Sequence, residues 1–158
     1  MNIRSYILPF WNLWPPFLFS GIKVIKRSKD MRHIAVKLKL RFWNANFVGT
    51  QYGGLIFSMA DPFYMVMLIQ NLGPSYSIWD KTSTIRFLKP GKTDLFASFD
   101  LQESDLALIR KEVDEQSKIE WIRKIEIRDT QGEIVAEVEK TISIKKKTLY
   151  PSGFKIWF

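Results

Sequence analysis

Apolar positions along this chain follow three rhythms, and each predicts a different kind of element. From Tyr6 to Phe19 the residues are nearly all apolar or aromatic, interrupted by Pro9, Pro15 and Pro16, with Asn12 in the middle. A membrane span needs ~20 apolar residues with few breaks, and no small-residue cleavage site of the secretory type follows. Pro15-Pro16 suits the first turn of a helix running on through Phe17, Leu18 and Ile22. The segment is therefore expected to cover the core. A membrane-surface anchor using the basic run after Gly21 is the lesser reading.

From Met31 the rhythm becomes alternation. Val36, Leu38, Leu40 and Phe42 fall on one face and Lys37, Lys39 and Arg41 on the other, as in a half-buried strand. Residues 44–54 hold three of the eight glycines and read as a loop. Leu55 to Leu72 is apolar almost all round and too long for a strand, which predicts a buried helix ended by Gly73-Pro74. Asp61-Pro62 conflicts with an unbroken helix. Either Asp61 caps a helix starting at Pro62, or the proline kinks a longer one by crowding the carbonyl of Ser58.

Strands follow at Ser77–Lys89 and Thr93–Leu101, separated by the turn dipeptide Pro90-Gly91. Residues 103–117 predict a surface helix with Leu106, Ile109 and Val113 on one stripe. Ile119, Trp121, Ile125 and Ile127 alternate again, Asp129-Thr130-Gln131-Gly132 forms a hairpin turn, and Ile134, Ala136, Val138, Ile142 and Ile144 face inward on the last strand. The order predicts an α+β fold. A helix apolar on every side needs a sheet curled around it or a second subunit over it.

Length adds that this is one domain: 158 residues, within the usual range of ~100–200. Twenty-three of them are Phe, Trp or Tyr, enough to supply an interface or a pocket as well as a core. With no cysteine and a single histidine, His33, disulfides and thiolate zinc sites are excluded and a Ser-His-Asp triad is disfavoured. His33 itself reads as a surface residue. The net charge of +8 is regional. Residues 21–43 carry eight bases against Asp30, Lys145–Lys147 form a second patch, and residues 100–120 are acidic. Such patches suit a polyanion such as the phosphates of coenzyme A. No nucleic-acid readout motif accompanies them, and no nucleic-acid partner is expected.

Asn46-Phe-Val-Gly49-Thr-Gln-Tyr52-Gly53-Gly54-Leu-Ile-Phe-Ser-Met-Ala-Asp61 resembles the signature of hotdog-fold acyl-CoA thioesterases of the phenylacetyl-CoA (PaaI-like) type, N-x-x-G-x-x-H-G-G followed by a helix reading roughly L-F-S-L-A-D. Ile85-Arg-Phe-Leu-Lys-Pro90 is similar to a strand ending common in these proteins. The likeness extends over residues 31–146 and is greatest to a bacterial hotdog subgroup with a Trp14-Pro-Pro opening. It implies a hotdog core at 31–146, an aromatic, helical extension at 1–30 and a tail at 147–158. It also implies an acyl-CoA or acyl-carrier-protein substrate, a homodimer or dimer of dimers, a cytoplasmic location, and no cofactor or metal.

Thioester hydrolysis builds negative charge on the carbonyl oxygen, so donors must point there. A glycine opening a helix offers an unobstructed N–H aided by the helix dipole, and the resemblance assigns this to Gly53, with Gly54 beside it. Activation of water is assigned to Asp61. Eight residues of helix span ~12 Å, which makes a dimer sensible, with Asp61 of one chain facing Gly53 of the other. Asn46 would orient water or a carboxylate. Tyr52 stands where the family has histidine, and a phenol donates a hydrogen bond without serving as a base at neutral pH. Thr82 and Asp80 lie on a strand where relatives place polar pocket residues. Plain structural roles compete for each: a cap for Asp61, a loop conformation for Gly53 and Gly54, loop hydrogen bonding for Asn46 and a core ring for Tyr52. Among whole-protein readings, the main alternative is a non-catalytic acyl-CoA or lipid-binding module. A hydratase on the same fold is a weaker one.

Overall fold

A computed structural model describes residues 8–147; the opening residues 1–7 and most of the expected tail lie outside the described residues. A 3-10 turn over Leu8–Leu13 leads into α1 (Pro15–Ser20), with proline in its first turn as the sequence predicts. Two strands follow, β1 (Ile22–Arg27) and β2 (His33–Leu38), then α2 (Gly53–Ser58) and α3 (Phe63–Leu72). The chain continues as β3 (Tyr76–Phe87), β4 (Leu95–Asp100), α4 (Glu103–Gln116), β5 (Lys118–Arg128) and β6 (Ile134–Lys146). All six strands join one antiparallel sheet in the order β1-β2-β4-β5-β6-β3. This sheet curls around the central helical stretch, the α+β hotdog layout that the sequence implies.

The core forms where the inward positions of the strands meet α3. Ile34, Val36 and Leu38 of β2 are fully buried, as are Ile142 and Ile144 of β6. Phe63, Met67 and Leu68 of α3 fill the space between. Phe63 is the hub of an aromatic chain, with ring centroids 5.3 Å from Trp11, 5.7 Å from Phe17 and 4.8 Å from Phe99. The N-terminal segment therefore does cover the core, through two of its rings. The amphipathic stripe of α4 is also as expected, with Leu106, Ile109 and Val113 buried. Its start is held by a reciprocal pair, Gln102 and Asp105, each side chain accepting a backbone N–H of the other end.

Two expectations are corrected. The helix of α1 does not run on to Ile22: Gly21 adopts a left-handed conformation (φ +84°), ends it, and Ile22 begins β1. The alternation of β2 does not extend to Leu40 and Phe42. Its pairing with β4 ends at Leu38–Leu95, the next amides turn to Gly21, Asp94 and Asn44, and Phe42 is 90% exposed. The conflict at Asp61-Pro62 is resolved as a break in the central helical stretch. Gly53–Leu72 is long and apolar enough to cross a membrane (mean hydropathy 1.3), but it is split at residues 59–62, with α3 packed as core. Pro62 occupies the position before α3, and Asp61 makes no side-chain cap there.

β1 lies at one edge of the sheet, where Asn12 imitates a strand partner. Its side chain accepts from Val24 N–H at 2.8 Å and donates to Val24 C=O at 3.1 Å. A side chain that occupies the edge in this way blocks pairing with another chain. β3 lies at the other edge.

Candidate active site

The loop leading to α2 is fastened by two buried amides. Asn44 is 5% exposed. It donates to the carbonyls of Ser20 (2.7 Å) and Lys39 (2.9 Å) and accepts from Arg41 N–H (2.7 Å). It thereby ties the end of α1 to the end of β2. Gln51 is also buried, donating to Leu38 and Thr93 carbonyls at 3.3 and 3.0 Å, while its own N–H reaches Gly91 C=O at 2.8 Å. Neither residue is marked by the sequence, because amides in a polar loop look alike whether they bond to solvent or to backbone. Asn44→Ala would strand three backbone groups. The expected loss is about 2–3 kcal/mol in urea unfolding, given ~1–3 kcal/mol per buried group left unpaired; a loss below 0.5 kcal/mol would mean water replaces the amide.

Asn46 works inside its own loop. Its Oδ1 accepts from Val48 and Thr50 N–H at 3.1 and 3.0 Å, and its Nδ2 donates to Thr50 Oγ1 at 2.8 Å. Tyr52 occupies the position before α2 and is 55% exposed, so it is not a core ring. Its ring lies over Gly54, where an added Cβ would stand 2.6 Å from a ring carbon. Gly53 opens α2 and lies under the ring of Phe87, 3.0 Å from where its Cβ would be. A Cβ at either position would push one of these exposed rings aside. As the first two residues of a helix, their N–H groups lack intrahelical acceptors.

The second half of the site is a charge cluster around a buried lysine. Asp61, in the break between α2 and α3, is exposed to 57% of its side chain. Its carboxylate accepts from Lys140 Nζ at 3.2 Å, and its backbone carbonyl accepts from the same ammonium. Asp80 of β3 accepts from Lys140 at 2.9 Å. Lys140 itself is 0% exposed. The resemblance does not assign Lys140, but the alternation of β6 contains it. Position 140 is in phase with the inward 136, 138, 142 and 144, so a lysine there is a charge aimed at the core.

Asp80 and Thr82 are separated by a register shift in the pairing of β3 with β6, Asp80 opposite Ile142 and Thr82 opposite Thr141. That shift leaves Asp80 turned inward and Thr82 exposed. The structure brings Asp61 and Asp80 together; it brings neither Thr82 nor Asn46 into their hydrogen-bonded cluster. His33 pairs with Asp100 across β2 and β4 (Nδ1 to Oδ1, 2.7 Å), away from the cluster.

Burial raises the pKa of Asp80 above the ordinary 3.8, against the opposing pull of Lys140, and Asp61 adds to the rise. A carboxyl with a folded-state pKa above its unfolded value binds its proton more readily when folded. Asp80 therefore costs stability above its raised pKa, and the cost disappears as pH falls through that range towards 3.8. Carbon-13 titration should place the Asp80 midpoint above 3.8. A midpoint at or below that value would mean that the ammonium outweighs burial.

Beside the cluster lies an apolar cleft of about 330 Å³. Trp11, Trp14 and Phe17 form one wall, Met65, Val66 and Ile69 of α3 another, and Pro62 and Trp79 meet it next to Asp61 and Asp80.

Residues 7–144 match the family described as Domain of unknown function (DUF4442). The chain belongs to this family. Among curated proteins none matches it in sequence. Among solved structures, this DUF4442 protein is similar to a probable thioesterase of Pseudomonas aeruginosa, with a TM-score of 0.77 and 20% identity over 93% of this chain and 97% of that one. It is also similar to a thioesterase of Haemophilus influenzae, at a TM-score of 0.64 and 12% identity over 88% of each chain. A third is the PaaI protein from the phenylacetic acid degradation operon of Escherichia coli, at 0.60 and 18% over 89% of each chain. At these identities the likeness is one of fold.

Proposed function

We propose that this DUF4442 protein is a thioesterase acting on an acyl-CoA or acyl-carrier-protein thioester. The observation that carries the reading is the Asp61 carboxylate, solvent-facing in a helix break yet anchored from behind by a buried ammonium. Such a group can accept a proton from water as water attacks a carbonyl. The hydroxide equivalent adds to the carbonyl carbon, the tetrahedral oxyanion collapses, and the thiolate leaves, taking a proton to give a free thiol and a carboxylic acid. Gly53 N–H is the donor assigned to the oxyanion, with Tyr52 and Gly54 bordering it. The apolar cleft beside Pro62 and Trp79 suits the acyl group.

A homodimer is part of this reading. Asp61 and Gly53 stand at opposite ends of the α2 turn and its exit, so one carbonyl meets both more readily across two chains than within one. The outer edge of β3 supports it: among the described residues this strand pairs with β6 alone, and it carries the exposed rings of Trp79 and Phe87. The test is thiol release from a panel of short, long and aromatic acyl-CoAs by the purified protein. Turnover of at least one class is expected; no turnover of any thioester would overturn the reading.

A further inference from the structure

We propose that Lys140 is a positioning residue, its buried ammonium clamping the backbone and the carboxylate of Asp61 in the helix break, with Asp80 as the fixed second anchor. This rests on the reading of Asp61 as the water-activating group.

An ammonium has three N–H donors and no acceptor. Here three acceptors meet it: Asp61 C=O, Asp61 Oδ1 and Asp80 Oδ2. Taking a lysine wholly out of water is costly unless all its hydrogen bonds are made, and this arrangement makes them. A packing role alone would be served by a hydrocarbon of the same length, as the neighbouring Val138 and Ile142 show on the same face. The location matters as much as the bonds. Asp61 lies in a stretch that belongs to neither helix; Met59 and Ala60 before it are buried and bonded back to Leu55 and Phe57, whereas Asp61 turns outward with its N–H on Ser58 C=O at 3.3 Å. A carboxylate on such a segment is free to turn unless something behind it is rigid. β6 is rigid, being paired on both sides by β3 and β5.

The charges nearby are accounted for. Arg123 of β5 stands opposite Lys140 in the register, but its guanidinium is engaged by Asp105 of α4 and lies over the Trp121 ring. The clamp is left with two carboxylates and one ammonium. The negative charge in excess belongs to the pair, and Asp61 is the member that faces solvent, 57% exposed against 24% for Asp80. Asp80 thus serves Lys140, and Lys140 serves Asp61.

The test uses Lys140→Met in the full-length protein, with hydrogen exchange and steady-state kinetics. Exchange at the amides of Ala60 and Asp61 should rise tenfold or more while the sheet amides of β5 and β6 keep their protection. With a thioester that the wild type hydrolyses, kcat should fall ~10–100-fold with KM within about twofold, the loss expected when a reacting group is misplaced and substrate binding is not. The absence of cysteine permits a rescue. Lys140→Cys, alkylated while unfolded with 2-bromoethylamine and refolded, regains an ammonium at nearly the same reach. Alkylation with iodoacetamide supplies a neutral control. Recovery of kcat by the first and not the second is expected. Equal activity of both adducts, or a kcat of Lys140→Met within twofold of wild type, would overturn the positioning role. Unchanged exchange at Ala60 and Asp61 would overturn the clamp. Should the wild type hydrolyse no thioester, the thioesterase reading falls, and exchange alone still decides the clamp.

Discussion

Asp61→Asn is expected to reduce thioester turnover by ~10²–10⁴-fold, the usual contribution of a positioned general base. The substitution is informative because so little else changes. An asparagine Oδ1 can still accept from Lys140 at the place where the aspartate accepts at 3.2 Å, and the backbone carbonyl keeps its own bond to the ammonium. The side chain is more than half exposed, so its desolvation changes little. Unfolding free energy should stay within about 1 kcal/mol of wild type, as for most surface substitutions. What is lost is the capacity to accept a proton. Initial rates by thiol detection, with KM and kcat separated, check this: kcat should carry the loss. Activity unchanged in Asp61→Asn would transfer the chemistry to another group, and Asp80 would be the next to examine.

Phe63→Ala is expected to have the largest effect on stability, a loss of ~3–5 kcal/mol. Phe63 is wholly buried and its ring touches those of Trp11, Phe17 and Phe99. Removing it empties the junction between the N-terminal cover, the central helix and the sheet. Edge-on and tilted aromatic contacts are lost as well as apolar area, each pair adding ~0.5–1.5 kcal/mol beyond burial. The nearby cleft shares two of these rings, Trp11 and Phe17. Urea unfolding should show the lower midpoint, and trypsin should cut among Lys23, Lys26 and Arg27 sooner as the cover loosens. A loss under 1.5 kcal/mol would mean that the rings close over the space, and the N-terminal segment would then be less firmly held than its packing indicates.

The relation between the cover and the site gives these residues a common purpose. Asn44 fixes the end of α1 to the start of the loop, Gln51 fixes the end of that loop to β2 and the turn before β4, and Gly53 and Gly54 admit the rings of Phe87 and Tyr52. One side of the site is therefore built on hydrogen-bonded backbone. The other is built on a buried lysine. The rings of Trp11, Trp14, Phe17 and Trp79 line the cleft beside that lysine cluster.

Alternation by itself determined most of the strands, because a sheet with one buried face repeats every two residues wherever it lies. It located β5 and β6 closely, while the spacing of three and four residues from Leu106 to Val113 gave the stripe of α4. The break at Asp61-Pro62 was also legible, since a proline ring conflicts with the preceding helical carbonyl in any context. Alternation failed at Leu40 and Phe42, where the pattern continues but the partner strand has ended. Pairing is a property of two chain segments, and one of them is invisible to a local pattern. β1 was concealed for the same reason: its edge is completed by Asn12, twelve residues away.

The site divides along the same line. The glycines marked a loop, and the resemblance carried by Asn46, Gly49, Gly53, Gly54 and Asp61 implied the helix start and the carboxylate. The tertiary structure alone brought Lys140 to Asp61 across 79 residues and to Asp80 across 60. It also turned Asp80 inward and Thr82 outward through one extra residue in β3. Local sequence sets which way a side chain can point relative to its own element. Which charges then meet, and which of them leave water together, depends on long-range register.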